Sequence, residues 1–331
     1  YVHTFYKKEA TAQQPATSKE EGNLVAFSGP DFKATFDKQS GLLTSYLYKK
    51  HEYILNGQGP RPFFWRAPTD NDYGANLPVR LKAWKEASYQ EPKAESFQVT
   101  PGSNATTIKV TYRFPQTDAR WDITYKIYAS GVIKVDNRFV AEGDQAPMIP
   151  RVGLRMQLPE SFTDLTYYGR GPKENYRDRR TSQFIGEYAI PVKDMYEPYV
   201  RPQENNHRTD IYWCALTDKT QRGLLLIADR TFELNASNYP LESMDSGDTI
   251  DNGAPRTEKT HHRHLTDPLP EKMVDLFIDY RMMGVGGDDS WGATAHEPYL
   301  IRPGKENTIE YGFSLVPFDK KEDYKYLIRQ Y

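Results

Sequence analysis

The chain has 331 residues, a formal net charge of −2, 13% aromatic residues and a single cysteine. The near-neutral charge gives no basis for nucleic-acid binding, no apolar run is long enough to cross a membrane, and the N-terminus lacks a signal-peptide pattern. The lone Cys214 excludes an intrachain disulfide and leaves the compartment open between cytoplasm and periplasm.

The first 22 residues are predicted to belong partly to another unit. Residues 2–7 alternate as one short strand, and residues 9–22 are polar. Because a lone strand is not stable by itself, we expect it to complete a sheet in a preceding domain, with the polar segment as a linker. The start at Tyr1, without a methionine, indicates a fragment or a processed product.

Alternating strands and turns dominate the chain from residue 24 onward. Strands are predicted at residues 32–36, 42–48, 97–100, 107–114, 121–129, 132–140, 151–158, 211–217, 223–228, 274–283 and 308–316. Gly41 fits a hairpin bend, and one helix is predicted at residues 78–87, where Leu81 and Trp84 are three positions apart. The absence of alternating strand and helix patterns predicts an all-β protein, built as a large antiparallel sandwich.

Residues 61–72 combine two prolines and three aromatic residues with an acidic end. Prolines fix the backbone and Asx side chains close turns, which predicts an ordered crossover beneath aromatic rings. Asp70, Asn71 and Asp72 can also serve as calcium ligands, although a calcium loop needs more oxygen atoms.

Residues 168–180 are dense in arginine and carboxylate side chains. This pattern favours a surface loop cross-linked by ion pairs, and the alternative is a rim that contacts substrate or a partner. The sequence leaves open whether residues 177–180 pack inside the domain or against a neighbour.

Two polar segments supply a candidate cleft. Glu204, His207 and Arg208 include the carboxylate and imidazole needed for proton transfer at a sugar ring. His262 and His264 share one face of an extended segment and are placed in the same candidate cleft. They can also ligate a metal, but no third ligand is evident, so hydrogen-bonded imidazoles are favoured and no metal site is predicted.

Residues 284–291 read Gly-Val-Gly-Gly-Asp-Asp-Ser-Trp. Glycines with positive φ would let the chain bend sharply and present Trp291 outward, where an indole can stack on a sugar. Asp288, Asp289 and Ser290 are then supports of the loop, and the alternative is an indole that folds back onto its own sheet. Neighbouring acids point apart in an extended chain, so Asp288 and Asp289 are a poor glycosidase pair.

Several segments, in this order, strongly resemble the C-terminal region of the large multidomain bacterial beta-galactosidases of glycoside hydrolase family two. The matching strings are Trp65-Arg-Ala-Pro-Thr-Asp-Asn-Asp72, Gly169-Arg-Gly-Pro-Lys-Glu-Asn-Tyr176 with Asp178-Arg179, Asp194-Met-Tyr-Glu-Pro-Tyr-Val200, Pro202-Gln-Glu-Asn205, His262-Arg-His-Leu265 and Gly284 to Trp291. The sequence departs from the family at Asn206-His207, where Gly-Asn is common, and at Arg201, which makes an ion site at that loop doubtful.

The resemblance implies an antiparallel supersandwich over residues 22–331, similar to the galactose mutarotase fold. Residues 1–21 would be the last strand of a preceding immunoglobulin-like domain plus a linker. It also implies that the catalytic glutamates and a magnesium ion lie on an upstream TIM barrel, so this segment has no cofactor and is inactive alone. Trp291 would stack on a galactoside at the aglycone side, and the full enzyme would be a homo-oligomer.

Two alternatives stay open. One is a non-catalytic carbohydrate-binding module, and the other is an aldose 1-epimerase-like domain that uses Glu204 and His207. Fold analogy alone does not carry either function.

Overall fold

The computed structural model describes residues 14–141, 148–247, 264–289, 292–302, 304, 308–319 and 324–330. Within these residues the strands form two antiparallel sheets. The smaller sheet follows chain order and consists of β1 (Thr17–Glu21), β2 (Leu24–Ser28), β3 (Phe32–Asp37), β4 (Leu43–Tyr48) and β5 (His51–Glu52). Gly41, predicted to make the bend between β3 and β4, has a φ of 77°.

Residues 17–21, within the segment interpreted as a linker, instead form strand β1. It pairs along its whole length with β2, and the preceding Ala16 is buried and accepts a hydrogen bond from Thr106 Oγ1 at 2.8 Å. The prediction was wrong here because every β1 side chain is exposed, so this edge strand shows no hydrophobic alternation. The strand predicted at residues 2–7 lies outside the described residues.

The larger sheet contains twelve of the described strands. They are β6 (Arg61–Phe63), β7 (Ala94–Thr100), β8 (Thr106–Phe114), β9 (Ala119–Ile127), β10 (Ile133–Ala141), β11 (Arg151–Pro159), β12 (Asp164–Gly171), β13 (Phe184–Pro191), β14 (Arg208–Thr217), β15 (Gly223–Ser237), β16 (Met273–Met282) and β17 (Ile309–Phe318). The order across the sheet is β13-β12-β14-β15-β17-β10-β9-β8-β7, and β16 pairs with β15 and β11. These pairings are antiparallel, which confirms the predicted all-β antiparallel fold.

Aromatic side chains join the two sheets into one core. Phe36 of β3 meets Tyr125 of β9 with ring centroids 5.0 Å apart, and Phe64 meets Trp121 of β9 at 5.6 Å. Aromatic rings carry the largest apolar areas, and edge contacts add to what burial contributes. Cys214 is buried, and burial raises the pKa of its thiol.

Helices are short and cluster after β6. The helix predicted at residues 78–87 is divided at Leu81 into α2 (Leu77–Arg80) and α3 (Lys82–Tyr89). Leu81 and Trp84 are both buried, which agrees with their spacing. One turn, α1 (Asp70–Gly74), was not predicted; a further short helix, α4 (Tyr324–Leu327), lies near the C-terminus. In the described part of the chain, no helix combines the length and apolar character needed to cross a membrane.

The arginine-rich segment lies between two strands that the sequence did not predict, β12 and β13. Strand β13 is an edge strand with no fully buried side chain, so it gives no core signal. The strands hold the intervening loop beside the start of β14, where Asp210 accepts hydrogen bonds from Arg170 and Arg180. The loop is thus cross-linked within the domain by ion pairs, as the favoured interpretation predicts.

Candidate functional site

The loop that follows β16 is held at its base by one buried arginine. Arg66 Nη1 donates to the carbonyl oxygen of Met283 at 2.7 Å, and Nη2 donates to that of Gly284 at 3.0 Å. Arg66 is only 2% exposed. Its planar fork can bind two adjacent carbonyls and a carboxylate at once, so it fixes the exit of the chain from the sheet.

Asp72 neutralises Arg66 and shapes the local backbone. Its carboxylate accepts from Arg66 Nε at 3.0 Å and from Nη2 at 2.8 Å. It also accepts from the Thr69 amide, while Thr69 Oγ1 accepts from the Asp72 amide, which forms a capping box for α1. Burial lowers the pKa of Arg66, but the attraction of Asp72 outweighs it, and the net pKa is raised.

Asp178, from the arginine-rich loop, binds the backbone of the same segment from the other side. Its carboxylate accepts from the amides of Val285 at 3.1 Å and Gly286 at 2.7 Å. Asn71 Nδ2 donates to the Val285 carbonyl at 3.3 Å. Side chains from two distant sequence segments therefore fix residues 283–286.

The glycines of this loop are needed for close approach. The structure shows no positive φ at Gly284, Gly286 or Gly287, so the prediction of a bend made by positive φ is wrong for these three residues. A Cβ at Gly284 would lie 2.7 Å from Asp178 Cγ, and one at Gly287 would lie 2.4 Å from the Ala293 carbonyl oxygen. A side chain at either position would displace the loop.

Asp288 and Asp289 form hydrogen bonds inside their own loop. Asp288 Oδ1 lies 2.8 Å from His296 Nε2, and Asp289 Oδ1 accepts from the Ala293 amide at 3.2 Å. Both carboxylates are exposed. Ser290 and Trp291 lie outside the described residues.

A pocket of about 380 Å³ opens beside this anchored segment. It is lined by Thr69, Asp70, Asn71, Tyr176, Asp178, Arg179, Tyr199, Gln203, Glu204, Val285 and Gly286. These residues come from four of the segments that the sequence singled out, all but the one with His262 and His264, so the fold brings these four motifs to one place. The volume lies in the range of about 300–1,000 Å³ that is typical of small-molecule sites.

The pocket wall is polar and already ordered. Glu174 accepts from Tyr199 Oη and from Arg179 Nη2, the latter at 2.6 Å. Burial and the hydrogen bond with Glu174 raise the pKa of Tyr199. Tyr176 is 1% exposed, and its hydroxyl has no hydrogen-bond partner among the described residues. A ligand with hydroxyl groups can satisfy such a wall.

The predicted cleft of Glu204, His207 and Arg208 is instead a buried network. His207 is 0% exposed, with Nδ1 2.7 Å from Asn235 Oδ1 and Nε2 3.0 Å from Glu233 Oε2. Arg208 is also buried and donates to backbone carbonyls. The prediction of an open cleft is wrong for these two residues, because composition does not reveal that a polar segment lies under the sheet. Glu204 lines the pocket while accepting from Asn235 Nδ2 at 2.8 Å.

The remaining candidate residues are His262, His264 and the acidic residues of segment 70–72. His264 is exposed, so it does not share a cleft with the enclosed His207, and His262 lies outside the described residues. Asp70 pairs with Arg201 at 3.2 Å, whereas Asp72 faces Arg66. Across the ranges that the structure describes, no three His, Cys, Asp or Glu side chains are grouped closely enough to hold a metal ion.

The model of one protein family, described as the beta galactosidase small chain, matches residues 28–315 of this sequence. The chain belongs to the beta galactosidase small chain family. The pocket and its four motifs all lie inside the matched residues.

This member of the beta galactosidase small chain family is similar to much longer bacterial proteins. It is 33% identical over 307 residues to a beta-galactosidase of Priestia megaterium, covering 92% of this chain and 28% of that protein. It is 32% identical over 308 residues to a beta-galactosidase of Lactobacillus delbrueckii subsp. bulgaricus, covering 90% of this chain and 28% of that protein. The chain therefore spans less than a third of the length of these relatives.

A solved galactose 1-epimerase from Lactobacillus acidophilus has a similar fold. The two structures superpose with a TM-score of 0.50 at 6% sequence identity, over 93% of this chain and 99% of the epimerase. This agreement confirms the predicted likeness to the galactose mutarotase fold and says nothing about activity. The buried imidazole of His207 gives no support to the epimerase alternative.

The sequence did not indicate that Arg66, Asn71 and Asp178 hold residues 283–286 in place. Their partners are backbone atoms more than 100 positions away along the chain, and side-chain spacing carries no signal for such contacts. The cluster of glycines was the one usable indication, because glycines mark close backbone approach.

A buried acid near the network is expected to make stability depend on pH. Arg151 Nε lies 3.2 Å from Asp279 Oδ2, and both side chains are fully buried. Burial outweighs the attraction of Arg151 and raises the pKa of Asp279 to about 7. Burial lowers the pKa of His207, but its hydrogen bond with Glu233 outweighs this effect, and the net pKa is raised.

We therefore expect these two groups to lower the free energy of unfolding as pH rises from about 4 to 8. Folded Asp279 keeps its proton until about pH 7, whereas the unfolded side chain releases it near about 3.9, so protonation favours the folded form. The contribution of His207 is likewise lost as pH rises through its raised pKa. Urea unfolding at several pH values measures the slope.

The Asp279→Asn variant should show a flatter dependence than the wild-type chain. Asp164→Asn, at an exposed carboxylate, is the matched control and should keep the wild-type slope. An unchanged slope in Asp279→Asn would contradict the assignment.

Proposed function

We propose that this chain is the C-terminal part of a beta-galactosidase of glycoside hydrolase family two, which hydrolyses terminal β-D-galactosyl residues. In this proposal the chain supplies the support of an aglycone-side loop and contacts for assembly, and it does not supply the catalytic glutamates. The names of its relatives and the fraction of their length that it spans support this assignment.

The observation that carries the proposal is the double anchoring of residues 283–286. Arg66 and Asn71 bind this segment from one side, and Asp178 binds it from the other. Binding sites need a side chain held to within a fraction of an ångström, so a rigid base is expected for a loop that presents a ligand contact.

Trp291 is the ligand contact in this proposal, and it follows Asp289 by two positions. Its indole would stack on the apolar face of the aglycone sugar, while Asp288, Asp289 and Ser290 shape the loop. The hydrogen bonds of Asp288 with His296 and of Asp289 with Ala293 support that shaping role.

The catalytic steps are assigned to upstream domains of the same polypeptide. Glu204 and Glu233 are both buried and hydrogen-bonded to Asn235 and His207, which supports a structural role for these carboxylates. The proposal places the glutamates and a magnesium ion on an upstream TIM barrel, followed by an immunoglobulin-like domain, in a homo-oligomeric enzyme that acts on a galactoside.

Replacing Trp291 by alanine in the full-length enzyme is the direct experiment. Stacking on one aromatic ring is worth about 0.5–1.5 kcal/mol beyond area burial, so affinity for an acceptor sugar should fall roughly threefold to tenfold. The concentration of glucose that gives half-maximal galactosyl transfer measures the acceptor side, and inhibition by galactose measures the galactosyl side.

Phe184→Ala provides the matched control, because Phe184 is an exposed aromatic residue on the edge strand β13. It should change neither measurement. Unchanged acceptor affinity in Trp291→Ala, or an equal loss on the galactosyl side, would refute the assigned role.

A further inference from the structure

A second and larger depression lies on the larger sheet, where β15 changes its partner from β17 to β16. It measures about 1060 Å³ and is lined by residues of seven strands, among them Asp122 (β9), Asn137 (β10), Tyr311 (β17), Glu233 (β15) and Arg281 (β16). We refer to it as the sheet groove. Its volume lies just above the range of about 300–1,000 Å³ that is typical of small-molecule sites, so it has room for a ligand larger than a single sugar.

A wide bulge in β15 builds one wall of the sheet groove. Trp213 of β14 pairs with Ile227, but Ile211 pairs with Phe232, so on the β14 side residues 228–231 lie opposite Tyr212 alone. The side chains at positions 229–231 of this segment are exposed and line the groove. Bulges of this kind re-aim side chains and are frequent beside binding sites.

A glycine at the floor of the groove leaves room for an ion pair. Gly312 lies within β17, where a Cβ would be 2.4 Å from Asp229 Oδ2 and 2.6 Å from Lys134 Nζ. Lys134 and Asp229 instead form an ion pair of 2.6 Å directly across this position. This ion pair thereby occupies the space that a side chain at position 312 would need.

The charges of the lining nearly cancel. Its carboxylates are Asp122, Asp136, Asp210, Asp229, Glu233 and Glu310. Its cations are Lys109, Arg138, Arg177, Arg230 and Arg281. Six acidic and five basic side chains give the lining a formal charge of −1. This charge does not attract a polyanion and attracts a cation only weakly. Interspersed donors and acceptors instead match hydroxyl groups, which both donate and accept.

Several polar atoms in this lining have unused hydrogen-bonding capacity. Asn137 is 4% exposed, and its Nδ2 has no partner among the described residues, although its Oδ1 accepts from Trp121 Nε1. Nε of Arg177 and Nε of Arg281 are likewise buried without a hydrogen-bond partner in the described chain. Arg177 Nη1 lies 3.5 Å from Glu233 Oε1, at the long limit of a hydrogen bond. Buried polar groups left this way call for a ligand or ordered water.

Two tyrosines supply the apolar part of the surface. Tyr280 and Tyr311 both line the groove, with ring centroids 6.1 Å apart. The Tyr311 hydroxyl donates to the Ile278 carbonyl at 3.1 Å, which fixes that ring. The Arg281 guanidinium lies 5.0 Å from the Tyr280 ring. Aromatic faces beside hydroxyl-binding groups form a surface suited to saccharides.

We propose that the sheet groove binds a neutral oligosaccharide, at a site separate from the loop at residues 284–291. Four features favour this class of ligand over an acidic polymer. They are the bulged wall, the balanced charges, the unpaired donors and the paired tyrosines. The proposal does not depend on the catalytic role assigned to the parent enzyme.

Titration of the purified 331-residue chain tests the proposal. Neutral β-1,4-galactotriose and lactose are the probes, trigalacturonic acid is the charged comparator, and calorimetry or NMR shift changes report binding. Saturable binding is expected for at least one neutral probe, and weaker or no binding is expected for the acidic one.

Arg281→Gln should weaken that binding about tenfold or more, because it removes charged donors from the groove. Arg113→Gln, at the exposed pair with Glu95 on another part of the sheet, is the matched control and should bind as the wild type does. If Arg281→Gln fails to fold, Arg230→Gln at the exposed rim replaces it.

Trp291→Ala should leave this binding unchanged, which separates the groove from the loop. The proposal is overturned if neither neutral probe binds, if trigalacturonic acid binds more tightly, or if the folded groove variants bind as the wild type does. Loss of binding in Trp291→Ala would also overturn it.

Discussion

Replacing Asp72 by asparagine is expected to lower the free energy of unfolding by about 3–5 kcal/mol, the usual effect of removing one partner from a buried ion pair. Arg66 would be left charged at 2% exposure with its carboxylate gone. Asparagine keeps one oxygen that can accept from the Thr69 amide in the capping box, but it lacks the negative charge and the second oxygen that Arg66 needs. Urea unfolding of the purified chain measures the change.

Asp70→Asn is the matched control, two positions away in the same motif. Asp70 pairs with Arg201, but its side chain is 61% exposed, and surface pairs contribute about 0–1 kcal/mol. A loss of less than about 1 kcal/mol in both variants would show that the Arg66 pair does not hold this region together.

Replacing Asp178 by asparagine is expected to weaken acceptor binding in the full-length enzyme without removing the indole. The carboxylate accepts from two backbone amides of the loop, and hydrogen bonds to charged groups contribute about 1.5–3 kcal/mol each when buried. Asp178 is partly exposed, so we expect each of its two hydrogen bonds to contribute less than this range. Acceptor affinity should fall as far as in Trp291→Ala, about threefold to tenfold.

Asp210→Asn controls for general loosening of the arginine-rich loop. Asp210 accepts from Arg170 and Arg180 in that loop, and its described hydrogen bonds do not include residues 284–289. Acceptor affinity measured through galactosyl transfer should stay near the wild-type value. An equal loss in Asp178→Asn and Asp210→Asn would mean that loop order alone matters.

The sequence predicted many of the strands that have one buried face, but it missed β12, in which every second residue is buried. Residues 107–114 alternate clearly, and the structure has β8 at Thr106–Phe114 with Ile108 and Val110 fully buried. Strands β1 and β13 escaped prediction because they lie at sheet edges and bury no continuous apolar row. Backbone pairing, which leaves no periodicity in the side chains, forms them instead.

The candidate site was likewise predicted only in part from the sequence. The motifs indicated which segments matter, but the pairing of Asp178 with the amides of Val285 and Gly286 depends on the three-dimensional path of the chain. Composition also did not predict which polar side chains are buried. His207 looked available for proton transfer, yet the network under the sheet encloses it completely.

A double-mutant cycle in the full-length enzyme tests most directly whether Asp178 acts by positioning Trp291. Acceptor affinity is measured for the wild type, Asp178→Asn, Trp291→Ala and the double variant, because coupling isolates the interaction between two positions. We expect Asp178→Asn to have almost no further effect once Trp291 is absent. Additive losses from the two substitutions would contradict the proposed role of the anchored loop.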